Sequence, residues 1–325
     1  MSIWEHIVHH LRNGELLAFL CVLRSEGSSP GRKGFCMMVN EGGEMAGSIG
    51  GGIMEQKLVE LAKAKLTAGA FAPFTMNQVH RKDNKNNQSG MICSGEQTIA
   101  FYTLNTTHIG LFTKVVDCFQ KGTEGILELS DHGISFSSDT TTAEPISDII
   151  TEGETWTVRQ PVGFANKVYI LGAGHVGTAL ATMMRQIGFY VVILDDRRGL
   201  NTMEENQSAH EKHYVDYDSV ANHIQEGDHV YVAIVSFGYR TDKEVLKNLA
   251  GRKYKYLGMM GSKEKVKKLL NELAEEGVDK SWLNSVHTPI GLPIYSKTPE
   301  EIAISIAAEI IEMKNRVVRQ CEASP

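Results

Sequence analysis

Apolar residues fall into two rhythms along this chain, and the change from one to the other divides it. From residue 167 onward, short apolar runs at 167–171, 189–194, 229–235 and 254–259 are each bounded by polar or turn residues. They alternate with amphipathic stretches at 176–187, 240–249, 263–276 and 299–315. The runs predict strands, the stretches predict helices, and regular strand–helix alternation predicts a doubly wound parallel sheet. A further short strand is expected near 213–215. The last helix carries the clearest start signal: Thr298 stands at the N-cap, Pro299 in the first turn where its missing N–H costs nothing, and Glu301 where it closes a capping box.

Before residue 150 the pattern is mixed. Helices fit 3–11, 53–67 and 108–121, and strands fit 16–23, 35–40, 43–48 and 97–104, which predicts a smaller mixed α+β domain without ordering its parts. The connection, 151–166, contains Pro161 and Gly163 and a short strand pattern at 155–159. The expected domains are therefore 1–155 and 166–325.

The junction VYILGAGHVG (168–177) sharpens the second domain. A glycine-rich GxGxxG turn follows an apolar strand and opens a helix, and the next strand ends in Asp195-Asp196 about 20 residues on, as a dinucleotide-binding Rossmann unit requires. Gly172 permits the tight turn, Gly174 lets a pyrophosphate approach the backbone, and Gly177 lets helix and sheet pack closely. Phosphates would meet the helix's free N–H groups near His175, and Asp195 would accept from ribose hydroxyls. That carboxylate favours NAD, while Arg197 and Arg198 leave NADP open.

A second strand-to-helix junction, AGSIGGGIMEQ (46–56), is no Walker loop, yet Gly50, Gly51 and Gly52 bare backbone N–H groups that suit an anion such as a phosphate. Close helix packing accounts for the same glycines. Ser48 adds a hydroxyl, and the turn EGSSPGRK (26–33) adds hydroxyl and basic donors that would line one site with it. Glu55 reads either as a favourable first-turn charge or as an acceptor for pterin N–H groups. Cys93, in a Gly/Ser-rich turn, reads either as a thiolate facing a cofactor or a sulfur carrier, or as an inert thiol. His287 stands in an irregular segment, as a functional group or as a turn-stabilising one.

Composition narrows the partners. With 325 residues, 42% hydrophobic and 22% charged, the chain supports two cores and is neither disordered nor fibrous. A net charge of −6 without a dense basic stripe argues against nucleic acid. The first 12 residues contain Glu5 and three histidines rather than a signal peptide, and no apolar run reaches membrane-spanning length, so a cytoplasmic protein is expected. Five scattered cysteines without a CxxC pair suggest neither a disulfide framework nor a zinc site, and no metal site is expected. The tract HRKDNKNNQ (80–88) reads as a solvated loop.

Taken in order, VLRSEGSSPGRKG (22–34), AGSIGGGIMEQ (46–56), MICSG (91–95), GAGHVG with LDDR (172–177, 194–197), YLGMMGSKEK (256–265), HTPIGLPI (287–294) and TPEEIAISIAAEII (298–311) resemble the xanthine dehydrogenase accessory proteins of the XdhC/CoxI type. The resemblance spans nearly the whole chain. It implies an N-terminal XdhC/CoxI domain, a C-terminal Rossmann domain, and a chaperone-like role in which molybdenum cofactor (molybdopterin) is bound, presented for sulfuration and delivered to a molybdenum hydroxylase apo-enzyme. It also implies a cysteine desulfurase as sulfur source and a homo-oligomer, such as a dimer. Three segments depart from the family pattern: Cys93-Ser94-Gly95 stands for Cys-Gly-Gly, SFGYRTD (236–242) for a segment with two histidines, and Ile294-Tyr295-Ser296 for Ile-Gly-Ala. The missing histidines argue against metal or acid–base chemistry at that strand end. An NAD(P)-dependent oxidoreductase and a non-catalytic scaffold are the competing readings.

Overall fold

The structure, a computed structural model, describes residues 2–27, 29–79, 95–139, 150–152 and 155–322. It divides into two compact units, Met1–Gly163 and Phe164–Pro325.

The first unit runs α1 (Ile3–Arg12), β1 (Leu17–Gly27), β2 (Cys36–Asn40), β3 (Met45–Gly47), α2 (Gly52–Thr67), β4 (Phe74–Val79), β5 (Gly95–Leu104), a short 3-10 turn (Thr106–His108), α3 (Ile109–Lys121), β6 (Glu124–Ser130), β7 (Gly133–Ser137), β8 (Ile150–Glu152) and β9 (Thr155–Gly163). The first five strands form an antiparallel sheet in the order β3-β2-β1-β5-β4, and the other four form a second sheet, β7-β6-β9-β8. β1 explains the layering, because its first seven residues are all buried. Successive side chains on a strand point to opposite faces, so such a strand must be covered twice. Ala18, Leu20 and Val22 pack with Met54, Leu58 and Ala62 of α2, whereas Leu17, Phe19, Cys21 and Leu23 pack with Trp4, Ile7 and Leu11 of α1, Phe112 of α3, and Leu127, Leu129 and Val158 of the second sheet. The strand foreseen at 155–159 continues to Gly163 and pairs with β6, which is why the first unit extends to residue 163.

The second unit runs β10 (Lys167–Leu171), α4 (His175–Gln186), β11 (Tyr190–Asp195), α5 (Asn201–Glu204), β12 (Glu211–Tyr214), a 3-10 segment (Tyr217–His223), β13 (Gly227–Ile234), α6 (Tyr239–Leu249), β14 (Tyr254–Met259), α7 (Lys263–Glu275), α8 (Lys280–Leu283) and α9 (Pro299–Glu322). Its strands are all parallel and ordered β12-β11-β10-β13-β14, a Rossmann-type sheet whose order reverses between β10 and β13. One face packs on α4 and α9 through Ile170, Leu180, Met184, Ile306 and Ile310; the other packs on α6 and α7 through Leu171, Ile234, Leu246 and Leu269. The foreseen capping box closes α9: the Thr298 hydroxyl accepts the Glu301 N–H at 3.2 Å, and the Glu301 carboxylate accepts the Thr298 N–H at 3.1 Å. Among the described residues no helix is long and apolar enough to cross a membrane.

Candidate functional site

In the second unit the glycine-rich turn leaves β10 beside the point where the strand order reverses. Gly172 has φ 115°, and a Cβ there would lie 2.7 Å from the Ser236 nitrogen, so its bareness lets the ends of β10 and β13 close together. At Gly177 a Cβ would lie 1.8 Å from the Gly172 carbonyl oxygen, which makes this the close helix–strand contact. At Gly174 a Cβ would meet nothing within 4 Å. Gly174 is also the N-cap of α4 and supplies no side-chain acceptor, while His175, the first helical residue, is exposed. A helix start without a capping side chain, behind an open glycine, is suited to an anion.

Asp195 is at this turn but is not free. It is fully buried, and its carboxylate takes four donors: the Ala173 N–H at 2.6 Å and Arg197 Nη2 at 2.8 Å on one oxygen, the Arg197 N–H and Nε, both at 2.9 Å, on the other. Four donors use all the lone pairs that a carboxylate offers. Burial pushes the carboxyl up, but Arg197 and the two backbone N–H groups outweigh it and hold Asp195 below the usual carboxylate range. Accepting ribose hydroxyls would therefore require Arg197 to give way. Beside it, burial and the Asp195 charge push the Asp196 carboxyl up.

Across the reversal point stands a cluster that sequence reasoning missed. The Ser236 hydroxyl donates to Asp242 Oδ1 at 2.5 Å, and Lys265 Nζ donates to Asp242 Oδ2 at 2.6 Å. Asp242 is buried, which pushes its carboxyl up despite both partners. Ser236 lies just after β13, Asp242 is in the first turn of α6, and Lys265 is in the first turn of α7, so one carboxylate ties three elements at the C-terminal end of the sheet. The SKEK run at 262–265 was the available signal. His287 also has a partner: Nδ1 lies 3.1 Å from Glu309, which accepts from Tyr256 OH at 2.5 Å and the Gly291 N–H at 2.7 Å.

In the first unit the triglycine loop holds an anion of its own. Glu55 Oε2 accepts the Ser48 hydroxyl at 2.6 Å, the Ile49 N–H at 2.9 Å and the Gly51 N–H at 3.1 Å. Burial raises the Glu55 carboxyl, and these three donors overcome that and lower it. Gly50, Gly51 and Gly52 have φ of 130°, 75° and 73°, the left-handed conformations through which the loop wraps its side-chain cap. Gly50 also packs on the upstream turn: a Cβ there would lie 2.6 Å from the Gly31 nitrogen, and one on Gly31 would lie 2.3 Å from the Ile49 carbonyl. The two segments foreseen as neighbours are thus joined backbone to backbone. Beneath them buried Ser29 donates to Gln97 Oε1 at 2.7 Å. A Cβ on Gly51 would meet nothing within 4 Å. Cys93 and the polar tract 80–88 lie outside the described residues.

Residues 168–310 match the XdhC Rossmann domain, and residues 10–76 match the XdhC and CoxI family. A relative in Bacillus subtilis, a probable component of xanthine dehydrogenase, is 23% identical over 94% of this chain and 96% of its own length. An uncharacterized protein of Escherichia coli, YqeB, is 31% identical over 47% of this chain, which spans only 28% of that relative's length. A crystal structure of a xanthine dehydrogenase from Bacillus halodurans has the same fold, with a TM-score of 0.76 at 24% identity over 100% of this chain and 98% of that one. With one family signature on each of its two units, the chain belongs to the XdhC and CoxI family.

Proposed function

We propose that this protein is an accessory factor for molybdenum hydroxylases of the xanthine dehydrogenase type, and that it carries molybdenum cofactor, through the cofactor's phosphate, to the apo-enzyme. One observation carries the choice of ligand. The phosphate end of the dinucleotide turn is open at Gly174, while the ribose end is closed by the Arg197–Asp195 pair. A ligand with a terminal phosphate and no adenosine ribose fits that combination, and NAD fits it less well. Gly174, His175 and the first-turn N–H groups of α4 would hold the phosphate. The cofactor is cargo: its molybdenum serves the client enzyme. This chain's part is to bind, orient and release it.

Family membership supports the accessory role and a hydroxylase as client. A cysteine desulfurase as sulfur donor and a homo-oligomeric carrier belong to the same proposal. The saturated Ser236–Asp242–Lys265 cluster supports a positioning role rather than acid–base chemistry, because the Asp242 oxygens are engaged by Ser236 and Lys265. The test is anaerobic titration of the purified chain with molybdenum cofactor and, separately, with NAD(H) and NADP(H). Saturable binding of the pterin, weakened in Gly174→Val, is the expected result. Tight NADH binding without pterin binding would replace this reading with the oxidoreductase one.

A further inference from the structure

His6 and His10 lie one turn apart on α1, so their rings share a side of the helix, with centroids 6.4 Å apart and planes 18° apart. Glu44, from the hairpin between β2 and β3, reaches the same point: its Oε1 is 3.6 Å from His10 Nε2. One ligand atom from each of the three lies within 4.8 Å of the others. Two ligands of a tetrahedral ion, each about 2.0 Å from it, are themselves about 3.3 Å apart, so the His10–Glu44 separation needs only a few tenths of an ångström of adjustment.

The surroundings hold these atoms in place. His10 is only 6% exposed, and its Nδ1 is 3.0 Å from both oxygens of Glu15. That contact turns Nδ1 to a carboxylate and leaves Nε2 facing Glu44, the carboxylate–histidine arrangement common behind metal-ligating imidazoles. Asn40 organises both acids: its Nδ2 donates to Glu15 at 3.2 Å and to Glu44 Oε2 at 3.3 Å, and its Oδ1 accepts the Glu44 N–H at 2.9 Å. Glu44 is thereby held with Oε1 facing the histidines. Two carboxylates converge here on one buried imidazole, and a cation between Nε2 and Oε1 balances them.

We propose that His6, His10 and Glu44 bind a divalent transition-metal cation of the zinc class, with Glu15 and Asn40 orienting the ligands and a fourth position left to water or an incoming ligand. Two imidazoles and one carboxylate select zinc and its neighbours over magnesium or calcium, which take all-oxygen sets. The ion would pin α1 to the β2–β3 hairpin.

The test uses the full chain, stripped with chelator, and zinc chloride as the probe in isothermal titration calorimetry. One equivalent should bind, and zinc should raise the melting temperature. His6→Ala and Glu44→Gln, both outside the core, should weaken binding by at least about 100-fold, and Glu15→Gln by about 10- to 100-fold, as for loss of an orienting carboxylate. His9→Ala, on the same helix but outside the three-residue set, should bind as the parent does. Circular dichroism checks that each variant is folded. No saturable zinc binding by the parent would overturn the proposal. So would binding of equal strength in the folded His6→Ala and Glu44→Gln variants, since the metal would then be held elsewhere.

Discussion

Removing the Glu55 carboxylate tests whether the triglycine loop is built around a side-chain anion. In Glu55→Ala the Ser48 hydroxyl and the Ile49 and Gly51 N–H groups lose their common acceptor. Ile49 is fully buried, so its N–H has no ready water, and an unpaired buried donor costs about 1–3 kcal/mol. The other two donors are partly solvated and recover most of their bonding. Loss of a negative charge from the first turn of α2 adds roughly 0.3–1 kcal/mol. The expected destabilisation is about 1–4 kcal/mol, and about half that for Glu55→Gln, which keeps a neutral acceptor. Because the chain has two units, a single unfolding midpoint would mix them. Trp282 is in the second unit, whereas Trp4 and Trp156 are in the first, so urea unfolding followed by tryptophan fluorescence in a Trp282→Phe background reports on the first unit. Added phosphate should restore part of the lost stability in Glu55→Ala and leave the parent unchanged. A Glu55→Ala midpoint equal to the parent's, with no response to phosphate, would refute the capping argument.

Gly177→Ala should cost at least about 1–3 kcal/mol through its collision with the Gly172 carbonyl, whereas Gly174→Val should lose only about 1 kcal/mol of N-cap propensity; equal unfolding midpoints for the two would contradict the packing described. Arg197→Ala releases the Asp195 carboxylate and should strengthen NAD binding by about 10- to 150-fold, the worth of a charged hydrogen bond, and unchanged affinity by calorimetry would show that Arg197 does not gate the ribose site. His210, whose Nδ1 accepts the Val191 N–H at 2.9 Å, is held by burial at a pKa of about 4 against an ordinary 6.5. The unfolded chain takes up that proton first as the pH falls, so its stabilisation is complete above 6.5 and lost towards 4. Denaturation between pH 7 and 4 should cost the parent roughly 3 kcal/mol more than His210→Phe, and parallel profiles would sink the assignment.

The second unit was legible because parallel strands covered on both faces read as continuous apolar runs: residues 167–171 and 254–259 became β10 and β14 without a shift. In the first unit β4, β6, β7 and β8 escaped notice. Their runs are short and carry polar residues, and β6 is specified by pairing with β9, a non-local contact to which local pattern is blind. The glycine fingerprint located the turn, but not the reach of Arg197 back to Asp195, which depends on a rotamer. Glu55 was visible as a first-turn acid; that it closes a loop begun seven residues earlier follows only from the left-handed glycines between. Asp242 and Lys265, 23 residues apart, meet only because α6 and α7 start at the same end of the sheet. The metal-ligand set was hidden for the same reason: His6 and His10 are evident at helical spacing, whereas Glu44 joins them only through the hairpin.

The most direct test of the account is the affinity of the anaerobically purified chain for molybdenum cofactor, measured beside NADH and repeated with Gly174→Val. The account predicts saturable pterin binding at micromolar or better affinity, weakened in a folded Gly174→Val protein, with NADH bound far more weakly. Tight NADH binding without pterin binding, or pterin binding indifferent to Gly174→Val, would contradict it.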